Sequence, residues 1–285
     1  MPELPEVETV RIGLEPALIG RRVTAIVPGD FPGVMGESGI ELAAARIIDR
    51  PIARIDRRGK YLILVFFDGD GVIIHLRMTG VLTLEDAEQP LPRFHRLTLQ
   101  LDGPRELRYA DQRKFGRVLA ATDRDIDALD RKLGTEPLDD QFTPEVLAAA
   151  LRGRTAPVKA LLLDQTIVAG LGNIYVDEAL FKAGIHPMTP AGKLDPEQIA
   201  SLRTAIRLVL ADGVRFRGTS FSSFRNAYGD SGENQHHLSV YGRAARGEAC
   251  LVCGAPLSRI VVGGRGTHFC PVCQPASPPP EGANP

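Results

Sequence analysis

The sequence predicts a multidomain α+β protein: an N-terminal β-sandwich with flanking helices, then a helical domain, then a small C-terminal β-hairpin. Three observations predict it. Apolar runs punctuated by turn residues fill 21–121, helical spacing of apolar residues replaces them after about 133, and all four cysteines fall within 250–273. The chain has 285 residues, 44% hydrophobic and 24% charged, which excludes a disordered or collagen-like polymer. At roughly 150 residues per domain it is long enough for two full cores. No run approaches the roughly 18 apolar residues that cross a membrane, and MPELPEVE lacks the basic and apolar regions of a secretory signal. A cytoplasmic protein is the expectation.

The first element is a helix. Val7, Val10, Leu14, Ala17 and Leu18 recur at helical spacing after Pro2 and Pro5, and Gly20 ends the run. Strands follow at 61–67 and 72–76, separated by Asp68-Gly69-Asp70-Gly71, and at 96–101, where Leu97, Leu99 and Leu101 share one face. Helices are predicted over 144–151, 157–163, 173–183 and 196–214. Asp195-Pro196 supplies the last of them with a cap and a first-turn proline. The turn at 169–173, Ala-Gly-Leu-Gly-Asn, leaves Asn173 to cap the third helix; such a turn either binds a phosphate or simply joins two helices. Residues 217–237 are polar and aperiodic, the mark of a functional or mobile loop. The resulting domains are 1–133, a linker 134–143, 144–239, 240–274, and a disordered tail 275–285 with no core former.

Net charge is −1, but it is unevenly spread. Residues 1–150 carry 20 basic against 25 acidic side chains, and 151–274 carry 14 against 9. The basic second part suits a polyanionic partner.

The spacing Cys250-x2-Cys253-x16-Cys270-x2-Cys273 can surround one tetrahedral Zn²⁺, with Gly263-Gly264-Arg265-Gly266 turning a hairpin between the knuckles. Disulfides are the competing reading, and a reducing compartment disfavours them. Four protein ligands leave no open position, so the metal is structural. Arg243, Arg246, Arg259 and Arg265 either contact nucleic acid or are solvated charges; Arg265, among glycines at the tip, is best placed to grip a phosphate.

Loss of the initiator Met would leave Pro2 with a secondary amine. An α-amine titrates near pH ~8, so part of it is unprotonated and nucleophilic at neutral pH. Glu3 and Glu6 stand beside it for proton transfer. The alternative is that Pro2, Glu3, Pro5 and Glu6 merely start a helix.

Read in order, MPELPEVETV, Arg58-Gly59-Lys60-Tyr61, His75-Leu76-Arg77-Met78-Thr79-Gly80, Asp111-Gln112-Arg113-Lys114-Phe115-Gly116, Asp164-Gln165 with Gly172-Asn173-Ile174-Tyr175, Val240-Tyr241-Gly242-Arg243 and the cysteine pairs closely resemble the formamidopyrimidine-DNA glycosylase (Fpg/Nei) family of bacterial repair enzymes. The resemblance runs from residue 1 to Gln274. It implies a β-sandwich, a helix-two-turns-helix domain carrying a lesion-recognition loop, and a zinc finger. It also implies a bifunctional glycosylase and AP lyase that excises oxidised purines from damaged duplex DNA as a monomer in the bacterial cytoplasm, away from any membrane. Pro2 then matches the nucleophile that attacks C1′, Glu3 the acid/base, and Lys60 and Arg265 phosphate-gripping residues of the catalytic set. Asn173, Tyr241, His75 and Lys159 match further DNA contacts. Met78, Arg113 and Phe115 match the side chains that fill the gap left by a flipped nucleotide, recovering part of the few kcal/mol that unstacking costs. Glu6 and the loop residues Thr219, Phe221, Ser222, Ser223 and Phe224 match lesion recognition, the loop through its backbone. The sister activity toward oxidised pyrimidines, endonuclease VIII, and a non-catalytic zinc-finger DNA-binding protein are the alternatives.

Overall fold

The computed structural model describes residues 1–36 and 39–276. The chain folds as two compact units, Met1–Leu133 with Asp212–His236, and Gly134–Ala211 with the chain from His237 onward. Most of the predicted tail, from 277, lies outside the described residues.

In the first unit, helix α1 (Leu4–Leu18) leads into two four-stranded antiparallel sheets. Strands β1 (Val23–Pro28), β6 (His95–Leu101), β7 (Arg105–Asp111) and β5 (Gly80–Asp86) form one in that order. Strands β2 (Ile52–Arg58), β3 (Tyr61–Phe66), β4 (Gly71–His75) and β8 (Arg117–Ala121) form the other. Leu62, Leu64, Val72 and Ile74 of one sheet and Leu82, Leu97, Leu99 and Leu107 of the other share a single core, which α1 joins through Val7, Val10, Leu14 and Leu18. The sandwich is therefore present. Two helices escape the sequence reading: α2 (Gly39–Ile47), inside the stretch 21–121 read as strands, which buries only Ala43 and Ile47, and α3 (Asp123–Lys132), just after it, which buries none of its residues and is capped by Thr122.

The second unit holds α4 (Pro144–Leu151), α5 (Val158–Leu162), α6 (Asn173–Lys182) and most of α7 (Pro196–Arg215), together with the hairpin β9 (Ser258–Val262) and β10 (Arg265–Phe269). The predicted helices are all present. The predicted boundaries fare differently. The segment 134–143 is no free linker, since Gly134 N–H donates to Gln165 O, Thr135 bridges Val168, and Phe142 is buried. The stretch from Asp212 to His236 belongs with the sandwich, because Phe224 and Ala227 enter its core and the Tyr228 hydroxyl donates to Gly13 O at 2.8 Å.

Candidate active site and metal centre

Glu6 is the centre of the first unit's site. Its side chain is 1% exposed, with Oε2 accepting from Glu3 N–H at 2.8 Å and Oε1 from Thr219 N–H at 2.7 Å. One carboxylate thus ties the start of α1 to the base of a loop more than 200 residues away. Pro2 and Glu3 are buried beside it. The loop base is closed by Asn234, whose N–H donates to Gly218 O and whose Nδ2 donates to Thr219 Oγ1. Only glycine suits Gly218: its φ is +80°, and a Cβ there would stand 3.0 Å from Glu6 Cγ and 2.8 Å from the Phe224 ring.

Within the loop, Phe221 is 51% exposed and Ser222 is exposed, while Ser223 Oγ donates to Met78 O at 3.5 Å. The Phe224 side chain turns the other way, into the sandwich core. An aromatic residue in a polar loop anchors the loop by its ring and leaves only its backbone for a ligand.

The turns after β4 and β7 stand side by side. Asp111, buried, accepts from Arg113 N–H at 3.1 Å and Gly116 N–H at 2.8 Å, and it also takes the Thr79 hydroxyl. Arg77 and Lys114 adopt positive φ, 54° and 61°, at some cost in backbone energy. The result brings three predicted residues together. The Arg113 guanidinium lies 4.7 Å over the Phe115 ring and 2.9 Å from Met78 Sδ, with Met78 39% and Phe115 49% exposed. Read alone, Met78 and Phe115 suit a core; here both are presented to solvent around an arginine.

Lys60 is buried at the β2–β3 turn, next to Gly59 in the left-handed region. Its neighbour Tyr61 meets His75 edge-on, with ring centroids 4.5 Å apart. His75 Nδ1 accepts from Arg77 N–H at 2.9 Å, which leaves its proton on Nε2. Burial, with Arg77 and Lys60 adding like charge, pushes the His75 pKa down to about 3. The unfolded chain therefore takes up this proton first. The stability His75 contributes is complete above about pH 6.5 and is lost progressively as pH falls toward 3. We expect nitrogen NMR of His75 to show the neutral Nε2–H form at about pH 5.5. A titration between about pH 5 and 7 would contradict this burial.

In the second unit the four cysteine Sγ atoms lie within 4.8 Å of one another, Cys250 and Cys273 at 3.8 Å and Cys253 and Cys270 at 3.5 Å. Tetrahedral Zn–S bonds of about 2.3 Å require sulfur–sulfur spacings of about 3.8 Å. Val252 and Cys273 N–H groups point at Cys250 and Cys270 sulfurs, each at 3.4 Å, as thiolates require. The residues fit zinc, and the free thiols do not form the alternative disulfides. With all four positions taken by sulfur, the metal fastens the hairpin.

That hairpin is docked on α6. Gly266 O, next to Arg265 on the exposed tip, accepts from Asn173 Nδ2 at 2.8 Å and from Lys159 Nζ at 3.3 Å. His268 N–H donates to Asp177 Oδ2 at 2.8 Å, and Lys159 Nζ donates to Asp177 Oδ1 at 2.6 Å. Burial pushes the Asp177 carboxyl up, to about 7, against the pull of Lys159. Two expectations are corrected here. Lys159 is 0% exposed and spends its ammonium on Asp177 and Gly266, so it supports the hairpin and does not itself present to DNA. Asn173 is the first residue of α6 and Gly172 its cap; the Asn173 amide is directed at the hairpin.

Glu178, next along α6, accepts the N–H groups of Ser239, Val240 and Tyr241 at 2.8, 2.9 and 2.8 Å. It sets the backbone of Tyr241, whose ring lies 5.1 Å from that of His268. Asn173, Tyr241 and Arg265 are thus organised from one helix. Asp177 and Glu178 were missed from the sequence, although two adjacent acids among Tyr175, Val176, Ala179 and Leu180 are a signal of buried carboxylates that need partners.

Three family profiles match the chain: the formamidopyrimidine-DNA glycosylase N-terminal domain over 1–118, its H2TH domain over 133–225, and the zinc finger found in FPG and IleRS over 247–276. The formamidopyrimidine-DNA glycosylase of Herpetosiphon aurantiacus is 46% identical over 274 residues, 96% of this chain and 100% of the relative. Two structures of Lactococcus lactis Fpg superpose over 96% of this chain and 100% of theirs. One, a mutant with Fapy-dG DNA, has a TM-score of 0.89 at 40% identity. The other, with DNA containing an oxidised pyrimidine, has 0.88 at 39%. With all three domains matched in order and nearly the whole length aligned, the chain belongs to the formamidopyrimidine-DNA glycosylase family.

Proposed function

We propose that the protein is a bifunctional DNA glycosylase and AP lyase of base excision repair, which removes 8-oxoguanine and formamidopyrimidines from duplex DNA. The observation that carries this reading is the Glu6 carboxylate. It holds the backbone beside the N-terminal amine and the backbone of the loop that meets the base, so the reacting end of the chain and the recognising loop share one support.

With Met1 removed, the Pro2 nitrogen attacks C1′ of the extruded nucleotide. The C1′–N bond to the base breaks as the N–C1′ bond forms, and the base leaves with the proton that the amine gives up. Glu3 then protonates O4′ as the C1′–O4′ bond opens, and the Pro2 nitrogen lone pair completes the C=N⁺ bond. The resulting iminium acidifies the C2′ proton, and successive β- and δ-elimination release the 3′ and 5′ phosphates. Burial of Pro2 and Glu3 keeps bulk water from competing. Thr219, Phe221, Ser222, Ser223 and Phe224 offer their backbone to the base, with Glu6 behind them. Met78, Arg113 and Phe115 enter the vacated stack, two apolar groups and a hydrogen-bonding guanidinium already gathered on one surface. Lys60, His75, Asn173, Tyr241 and Arg265 hold phosphates, and the protein acts as a monomer in the cytoplasm. Among the described residues no helix is long and apolar enough to cross a membrane.

Oxidised pyrimidines are the second reading, favoured by the Lactococcus lactis complex with such a lesion. Single-turnover excision from duplexes carrying 8-oxoguanine opposite cytosine, and from duplexes carrying thymine glycol, separates the two. Faster removal of 8-oxoguanine is the expected result. Clear preference for thymine glycol overturns the purine assignment, and no borohydride-trapped complex with abasic DNA would leave only a DNA-binding protein.

A further inference from the structure

The two groups that the proposed reaction brings to the sugar and its phosphate come from separate elements: the amine from the start of α1, Lys60 from the β2–β3 turn. Apolar packing of α1 on the sandwich is non-directional and does not by itself set how the helix stands against that turn. A polar bridge does. Glu8, on α1, divides its carboxylate between two arginines. Oε1 accepts from Arg11 Nε at 3.0 Å and Nη2 at 2.9 Å, and Oε2 accepts from Arg57 Nε at 2.9 Å. Arg57, near the end of β2, then donates from Nη1 to Gly59 O at 3.1 Å, the carbonyl immediately before Lys60. Arg11 adds a second tie, Nη1 to Ile55 O at 3.4 Å. The Glu8 and Arg57 side chains are 17% and 10% exposed, so water screens this bridge less than it does a surface pair. Burial works against the Glu8 carboxylate, yet Arg11 and Arg57 hold it below the usual range.

The geometry points to Glu8 and Arg57 as positioning residues of the reaction: through the Gly59 carbonyl, their ion pair sets where the Lys60 turn stands relative to the N-terminal amine. This rests on the reading of Pro2 and Lys60 given above. Neither residue needs to touch DNA. Lysine at position 57 keeps the charge but cannot reach Glu8 and Gly59 with one planar fork, so Arg57→Lys loosens the turn while leaving the charge in place.

The test is single-turnover base excision with enzyme in excess, for Arg57→Lys and Glu8→Gln, each made in the native protein and in a Lys60→Ala background. In the native background each substitution slows excision about tenfold, while the Kd for a duplex with a stable abasic-site analogue stays within about twofold. In the Lys60→Ala background the same substitutions cost less than about twofold, because no lysine remains to be misplaced. An unchanged rate in the native background overturns the inference, and so does a tenfold loss that persists without Lys60. Circular dichroism of each variant accompanies the rates. If both unfold, the bridge is needed for folding and the positioning role is likewise rejected. Failure of the underlying reading looks different: Lys60→Ala alone then excises at the native rate, or abasic DNA gives no borohydride-trapped complex with the native protein.

Discussion

Glu3→Gln is expected to lower base excision by about 10²- to 10⁴-fold while leaving affinity for damaged duplex within about threefold. The substitution keeps the shape of the side chain and removes only its ability to take and give a proton. Glu3 N–H still donates to Glu6 Oε2, so α1 keeps its start and Thr219 keeps its partner. The loss falls on the chemical step, read as single-turnover excision of 8-oxoguanine, with gel-shift affinity as the control. Pro2→Gly should also slow excision strongly, since it leaves an amine but discards the ring that fixes its direction. Undiminished excision by Glu3→Gln would remove this residue from the acid/base role, and the proton would have to be managed elsewhere.

Removing zinc is expected to unfold the hairpin segment and leave the sandwich intact. Among the described residues, the apolar cluster around the metal site comprises Val240, Cys250, Leu257 and Cys270, with a few half-buried neighbours, too little to offset the entropy of ordering the segment. In small zinc domains, metal binding supplies about 10–16 kcal/mol of apparent folding free energy. Without it, Gly266 and His268 lose their fixed place on α6, and Arg265 loses its direction. The measurement is hydrogen exchange of the Thr267 and His268 amides before and after chelation, with metal analysis and DNA affinity on the same samples. About one zinc per chain, collapse of protection in β9 and β10, and a loss of at least about tenfold in DNA affinity are the expected results. Protection that survives in metal-free protein would show that the hairpin does not depend on the cysteines.

Local pattern carried much of this architecture. The helices α4 to α7, the strand runs of the sandwich and the four zinc ligands are written in spacings of a few residues, because caps, turns and metal knuckles are short-range devices. Ordered motifs along the chain carried the family. Orientation was not legible in this way. A lysine reads the same whether its ammonium reaches a phosphate or, as in Lys159, a buried aspartate 18 positions on. Phe224 looks like any loop aromatic until the sandwich core receives it. Glu6 meets Thr219 across 213 positions, and Asp177 meets His268 across 91. A buried charge is tolerated only where distant chain supplies its partners, so its location becomes visible only when those partners have been brought together. The composition, the element pattern and the ligand set of this protein are therefore properties of its linear order. The placement of Glu6 between the start of α1 and the loop, and the docking of the zinc hairpin on α6, arise from long-range burial of carboxylates whose solvation water had to be replaced.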